Sequence, residues 1–348
     1  MNFNVKKIFK RFGAIAMASV MAVSLTACGG SDSGASAGSG AADGDALPKE
    51  IRIGYWATPN AELLVKETGA LEELYPDVEV TWTEFTSGAD ILTAMQAGSI
   101  DFSTIGTPPG TTGIANNYPF SVYYLEDIIG EMEGLIVKED SGINSLADLK
   151  GKTIATSFST TSHFSLLNAL DQAGVDPADV TIMDMDASNI YAAWERGDID
   201  GAYIWESVKS QILNSGGKQI ISSAEVAEKG AATCEFAIVH NDFYAKYPEV
   251  VKAYAGLLDK AAQQYNNEPE EAAKLMSNGL GLTEEETLSA MGGIIELTEA
   301  DQAEYLGADG ELVNIIQKTA DFLFAQGNLT SEVDAETIQK AILHEIHE

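Results

Sequence analysis

The sequence predicts an α/β protein of two lobes with a ligand cleft between them, and three observations carry that expectation. Short β-type runs alternate with amphipathic helical runs, the alternation occurs twice, from Ile51 and again from Thr153, and a long helical stretch follows Asp242. Strand–helix alternation implies parallel sheets covered by helices on both faces. Ligands of such sheets lie beyond the carboxyl ends of the strands. Two lobes facing each other there make a cleft whose closure buries the ligand.

The first set opens with a strand at Ile51-Arg52-Ile53-Gly54-Tyr55 and a helix from Ala61 to Tyr75. Val78 to Trp82 alternates like a half-buried strand, Asp90 to Ala97 reads as a helix ended by Gly98, and Phe102 to Ile105 is the next strand. In the second set, strands at Ile154-Ala155, Val180–Met183 and Gly201–Ile204 enclose helices at Ser162–Ala173 and Ile190–Glu195. The tail repeats apolar residues at helical spacing (Val250, Val251, Tyr254, Leu257, Leu258, then Val313, Ile316 and Phe322 to Phe324) and is expected to complete the first lobe. Crossings between lobes are expected near Leu135-Ile136-Val137 and Phe236-Ala237-Ile238. Lobe I is then 49–136 plus 238–348, and lobe II is 137–237.

The first 27 residues read as a leader: Lys6, Lys7, Lys10 and Arg11 precede an apolar run from Phe12 to Leu25, too short for a comfortable membrane span. Leu25-Thr26-Ala27-Cys28 followed by Gly29 resembles a bacterial lipobox, which implies cleavage before Cys28 and lipid on its sulfur. An ordinary leader with an incidental cysteine is the other reading. The Gly-, Ser-, Ala- and Asp-rich residues after Cys28, up to 48, cannot bury a core and form a tether spanning roughly 25 Å. The expected place is the outer face of the bacterial cell membrane, held by lipid.

With 20 basic against 53 acidic residues, nucleic acid is an implausible partner, and most of the acidity is solvated surface. Cys234 is the one cysteine beyond Cys28, so no disulfide forms within the folded part. Arg52 and Arg196 are the only arginines beyond the leader, which leaves no obvious bidentate clamp for a carboxylate or phosphate.

Four loops at strand ends are candidates for holding a ligand. Phe158-Ser159-Thr160-Thr161-Ser162-His163 opens a helix, and a helix start offers unpaired N–H groups and positive dipole to an anion. One hydroxyl there is explained as a cap; four in a row are not. Ser87-Gly88-Ala89-Asp90 and Gly106-Thr107-Pro108-Pro109-Gly110 place small residues where backbone approaches a ligand, though each also reads as a turn. Thr233-Cys234-Glu235 brings a carboxylate to a lobe crossing, where burial without a partner is costly. Trp56 and Trp205 stand just after strands and offer faces to a cation, whereas Trp82 and Trp194 fall inside elements and read as core.

Catalytic signals are thin. Cys234 and His240 are separated by a strand, and His163, His240, His344 and His347 form no metal pattern beyond the last two, which read as exposed tail residues. No phosphate loop or nucleotide fingerprint occurs, and no cofactor is expected.

The stretches FTSGADI, IATSFSTTSHFSLLNAL, AAWERGDIDGAYIWES and EFAIVHNDFYAKYPEVVKAYA resemble the taurine branch of the nitrate/sulfonate/taurine solute-binding proteins of ABC importers, from about Ile51 to Gln326. The resemblance implies a two-lobed periplasmic-binding-protein fold of type II, acting as a monomer that delivers a small zwitterion to a permease with ATPase subunits. It implies a sulfonate at Thr161, Ser162 and His163, helped by Thr107, an amine facing Glu235, and Trp205 at the site. Trp56, Ser87 and Asp186 complete the candidate set. The branch usually has Asp where this chain has Glu235, its first loop differs from Trp56-Ala57-Thr58-Pro59-Asn60, and Asp186 adds a carboxylate. An anion held by N–H and O–H donors beside a carboxylate for a cation fits a zwitterion. Other ligands remain open: another alkanesulfonate, a thiamine-pyrimidine precursor, or a quaternary amine. So does an enzyme on the same fold, since fold does not fix function.

Overall fold

The computed structural model describes residues 47–206, 208–294, 296–307 and 310–347; the leader, Cys28 and most of the tether lie outside them. The strands are β1 (Glu50–Tyr55), β2 (Glu79–Glu84), β3 (Phe102–Gly106), β4 (Phe120–Ile128), β5 (Glu133–Lys138), β6 (Thr153–Thr156), β7 (Thr181–Asp184), β8 (Gly201–Trp205), β9 (Gly217–Ser222) and β10 (Cys234–His240). They form two five-stranded sheets, ordered β2-β1-β3-β10-β4 and β7-β6-β8-β5-β9. In the first, β1 runs parallel to β2 and β3, and β10 antiparallel to β3 and β4. In the second, β6 runs parallel to β7 and β8, and β5 antiparallel to β8 and β9. The same plan is thus built twice.

Strand β1 buries Ile51 and Ile53, whereas the central strands β3 and β8 are buried almost throughout, as strands covered on both sides must be; the edge strand β4 is buried too, its rim covered through bridges of Val122 to Ile342 and Asp127 to Glu296. The expected long first helix is broken: Ala61–Thr68 ends at Gly69, whose φ of 64° closes it, and Ala70–Leu74 starts anew. The tail helices Pro248–Asn267 and Pro269–Leu280 pack Val250, Val251, Tyr254, Leu258 and Met276 against Ile51, Ile53, Phe102 and Tyr123. Helix Glu311–Ala325 packs Leu312, Val313, Ile316 and Leu323 on the other face, with Phe236 and Ile238. Its far end crosses to the second lobe, where Phe322 meets Phe164 edge-on at 4.8 Å and Asn328 Nδ2 donates to Ser159 Oγ at 3.3 Å.

The lobe crossings fall earlier than the sequence suggests. Strand β5 belongs wholly to the second sheet and β10 wholly to the first, so the chain changes lobes at 129–132 and within 223–233. Hydropathy misplaces the first of these points because acids stand inside the buried strand ends, Glu126 and Asp127 in β4 and Glu133 in β5, and read as link. The two links touch: Ile129 N donates to Thr233 O at 2.9 Å. A second correction concerns the tail. The His347 side chain is only 5% exposed and donates from Nε2 to Tyr123 O at 2.7 Å, pinning the C-terminal segment to β4.

Candidate ligand-binding cleft

The topology aims a fixed set of segments at the space between the sheets. From the first lobe come the ends of β1, β3 and β4 and the start of β10; from the second come the ends of β6 and β8 and the start of β5. Two helix starts meet there. Helix Thr107–Ala115 follows β3, helix Thr161–Gln172 follows β6, and a Cβ placed on Gly106 would lie 3.2 Å from Thr161 Cγ2.

Thr160 caps the Thr161 helix, its Oγ1 accepting from His163 N at 3.3 Å. The first backbone bond of that helix runs from Phe164 N to Thr160 O at 3.1 Å, so the N–H groups of Thr161 and Ser162 precede it and take no part in the helix. The buried Ser162 hydroxyl has no partner among the described residues. His163 lies flat on Phe158, with ring centres 4.3 Å apart, and accepts from Ser159 N at Nδ1. Burial pushes its pKa down to about 4, so it enters the site as a neutral ring.

The hydroxyl of Thr161 is already engaged: it donates to Glu133 Oε1, and Ser223 Oγ donates to the other oxygen at 3.2 Å. Thr107 is engaged too. Its Oγ1 accepts from Cys234 N and donates to Cys234 O, both at 2.8 Å, which fastens its helix to β10 beside Glu235. Ser87 caps helix Gly88–Gln96 and is bonded to Asp90 twice, accepting at 3.2 Å and donating at 2.7 Å. Trp56 is fixed by its indole N–H on Thr104 O at 2.8 Å. Trp205 pairs in register with Glu133 and packs against apolar clusters of both lobes. Asp186 stands apart, exposed beyond the edge strand β7, with β6 and β8 between it and β5. Helix start, Thr107, Glu235 and both tryptophans therefore gather at the cleft, while Ser87 and Asp186 serve or flank local helix starts.

Glu235 is half-buried at the start of β10, between Gly106 and Asp127 in register, and donates its N–H to Asp127 Oδ1 at 3.1 Å. It is one of a group the sequence reading did not single out: Glu62, Glu126, Asp127, Glu133 and Glu296, all at most 2% exposed. Thr104 Oγ1 donates to Glu126 Oε1, and Ala61 N to Glu296 Oε1 at 3.1 Å. The second oxygens of Glu62, Glu126 and Glu296 have no partner among the described residues. Burial, then repulsion from neighbouring carboxylates, raises Glu126 to about 8 and Asp127 to about 7. Burial raises Glu133 to about 7 against the pull of the Thr161 and Ser223 hydroxyls and of the nearby Ser162 hydroxyl, which eases its charge without a well-formed hydrogen bond. Glu62, Glu235 and Glu296 are held well above the usual range for the same reasons, burial first. The signal was present in FSVYYLEDII, where two acids interrupt a run otherwise fit for a buried strand. Among the described residues no group of His, Cys, Asp and Glu is arranged to hold a metal ion.

Both arginines are spent elsewhere. Arg52 forms a fork with Asp101, Nη2 to Oδ1 at 2.6 Å and Nε to Oδ2 at 2.9 Å, and Arg196 pairs with Asp198 at 2.8 Å.

Residues 76–272 match the family described as NMT1/THI5 like. The chain is 35% identical over 271 residues to the taurine-binding periplasmic protein of Escherichia coli, covering 76% of this chain and 80% of that one. The alkanesulfonate-binding protein SsuA from Xanthomonas axonopodis pv. citri, solved bound to MOPS, superposes with a TM-score of 0.73 at 25% identity, over 86% of this chain and 99% of that one. The periplasmic aliphatic sulphonate binding protein SsuA of E. coli gives the same TM-score at 24% identity, covering 85% and 92% of the two chains. With the doubled sheet plan and the cleft between its halves, these likenesses place the chain in the NMT1/THI5-like family, in the nitrate/sulfonate/taurine group of solute-binding proteins with the type II periplasmic-binding-protein fold.

Proposed function

We propose that this protein is the lipid-anchored, extracytoplasmic binding component of an ABC importer, and that it captures taurine or a related small aminosulfonate and passes it to the permease without chemistry. One observation carries the reading. The free first-turn N–H groups of the Thr161 helix and the carboxylate face around Glu235 lie on opposite lobes that touch at Gly106. A compact zwitterion spans them, its sulfonate on Thr161 N–H, Ser162 N–H and the unpartnered Ser162 hydroxyl, its cation toward Glu235. The engagement of both arginines favours such an N–H and O–H cradle over an arginine clamp. The names of the relatives support the same ligand class.

Taurine at a hundredfold over its dissociation constant is expected to stabilise the protein by about 2.7 kcal/mol, read as a rise in melting temperature. Thr161→Val should weaken that binding, because it withdraws a donor from Glu133 and leaves a more poorly held charge beside the anion. An unmoved melting curve with taurine and its amine-bearing homologues at saturation would remove this function. The anchor has its own test: Cys28→Ser should move the protein from the membrane pellet to the soluble fraction, and retention in the pellet contradicts it.

A further inference from the structure

We propose that the cation this cleft is built to hold is a guanidinium, or an amidinium with the same planar donor pattern, rather than a single ammonium. The inference rests on the reading of the cleft as a site for a small cation-bearing solute, and it specifies that cation. Five carboxylates, Glu62, Glu126, Asp127, Glu235 and Glu296, converge from four segments on the first-lobe side. Three of them keep an oxygen that nothing in the described chain satisfies, on side chains at most 2% exposed. The fully buried Tyr123 hydroxyl, which feels the charges of Glu62 and Glu126, is unpartnered as well. Buried polar atoms are nearly always bonded, and exceptions cluster where a ligand completes the set. None of the ion pairs among the described residues brings a lysine or arginine to these five.

The donor count decides between cations. An ammonium offers three N–H groups splayed from one point, and one carboxylate plus two neutral acceptors saturate it. A substituted guanidinium offers five in one plane, spaced to bind carboxylates in pairs. It is also more weakly hydrated, so closing the lobes over it costs less, and its flat face stacks on aromatic rings. Trp56 supplies such a face: its indole is fixed to Thr104 O, on the residue whose hydroxyl holds Glu126. Trp205 lies at the lobe boundary from the other side.

The test is calorimetry on the full chain with taurine, its guanidino analogue 2-guanidinoethanesulfonate, and guanidinium chloride at non-denaturing millimolar concentration. The guanidino analogue is expected to bind at least about tenfold more tightly than taurine, the gain of one further charge-assisted bond. Glu126→Gln is expected to weaken both ligands but the guanidino analogue more, so that most of the preference is erased. Guanidinium alone matching the analogue would uphold this inference and remove the sulfonate from the proposed function. Taurine binding as tightly as the analogue would overturn the inference and leave the aminosulfonate reading standing. Failure of all three to bind would overturn both.

Discussion

Glu235→Ala is expected to abolish the ligand-induced rise in melting temperature and, at the same time, to raise the melting temperature of the ligand-free protein. The two effects share one cause. Glu235 sits among Asp127, Glu126 and Glu133, whose like charge, together with burial, disfavours its ionised form. Removing it frees the empty cleft of a desolvated carboxyl, whose burial costs stability whether it is protonated or charged. In the complex the same change takes one close counter-charge from a buried cation, a loss of about 2–5 kcal/mol for a close charged pair, enough to erase a shift of about 2.7 kcal/mol. A residue that weakens the empty fold to serve its ligand is an instance of the general opposition between stability and function. Melting curves with and without ligand decide it. A variant that keeps the wild-type ligand shift, or melts lower than wild type when empty, contradicts the role given to Glu235.

Raising the pH from 5 to 8 should lower the melting temperature of the ligand-free protein and strengthen its hold on a cationic ligand. Carboxylates titrate near 4 in the unfolded chain, whereas Glu126, Asp127 and Glu133 titrate at about 7 to 8 in the fold. Between those limits the unfolded state binds fewer protons, so stability falls as pH rises. The contribution is complete below about pH 4 and gone above about pH 8. The exposed acids Asp148, Glu286 and Asp334 shift the opposite way, downward through their hydrogen bonds, so their window lies at lower pH. One unit corresponds to about 1.4 kcal/mol, and a change of about 1 kcal/mol moves the midpoint of a chain this size by a few degrees, so a fall of several degrees is expected. A cation favours the ionised carboxylates, so binding should release protons, visible as a dependence of calorimetric heat on the ionisation enthalpy of the buffer. A midpoint that is flat or rising from pH 5 to 8, unaltered in Glu126→Gln, would refute the assignment.

Much of the fold is legible in the sequence because local signals and burial agree. Ile51 and Ile53 are buried on either side of the half-buried Arg52, Gly98 follows the end of its helix, and the hydroxyl run at Ser159–Ser162 marks a capped helix start, whereas the stop at Gly69 is missed by a reading that runs the first helix to Tyr75. The lobe crossings are less legible, since the buried acids Glu126, Asp127 and Glu133 belong to the strands while Gly130 and Glu131 belong to the link, and composition does not tell one from the other. The site divides the same way. Thr161, Ser162, Glu235, Trp56 and Trp205 stand at strand or helix ends, which the alternation locates. Glu62, Glu126 and Glu296 are hidden by composition: in a chain with 53 acids, a buried glutamate looks like any other until the sheet order brings the three together. Thr107 was visible as a residue but not in its work, because its bond partner Cys234 lies 127 positions away.

The link between β4 and β5 carries Asp127 on one side and Glu133 on the other, and it is stitched to the return link through Ile129 and Thr233. Two carboxyls that burial holds well above the usual range therefore flank the crossing between the lobes. A cation arriving there favours the ionised form of carboxyls on both lobes at once, so holding it and giving up protons are one event at the crossing.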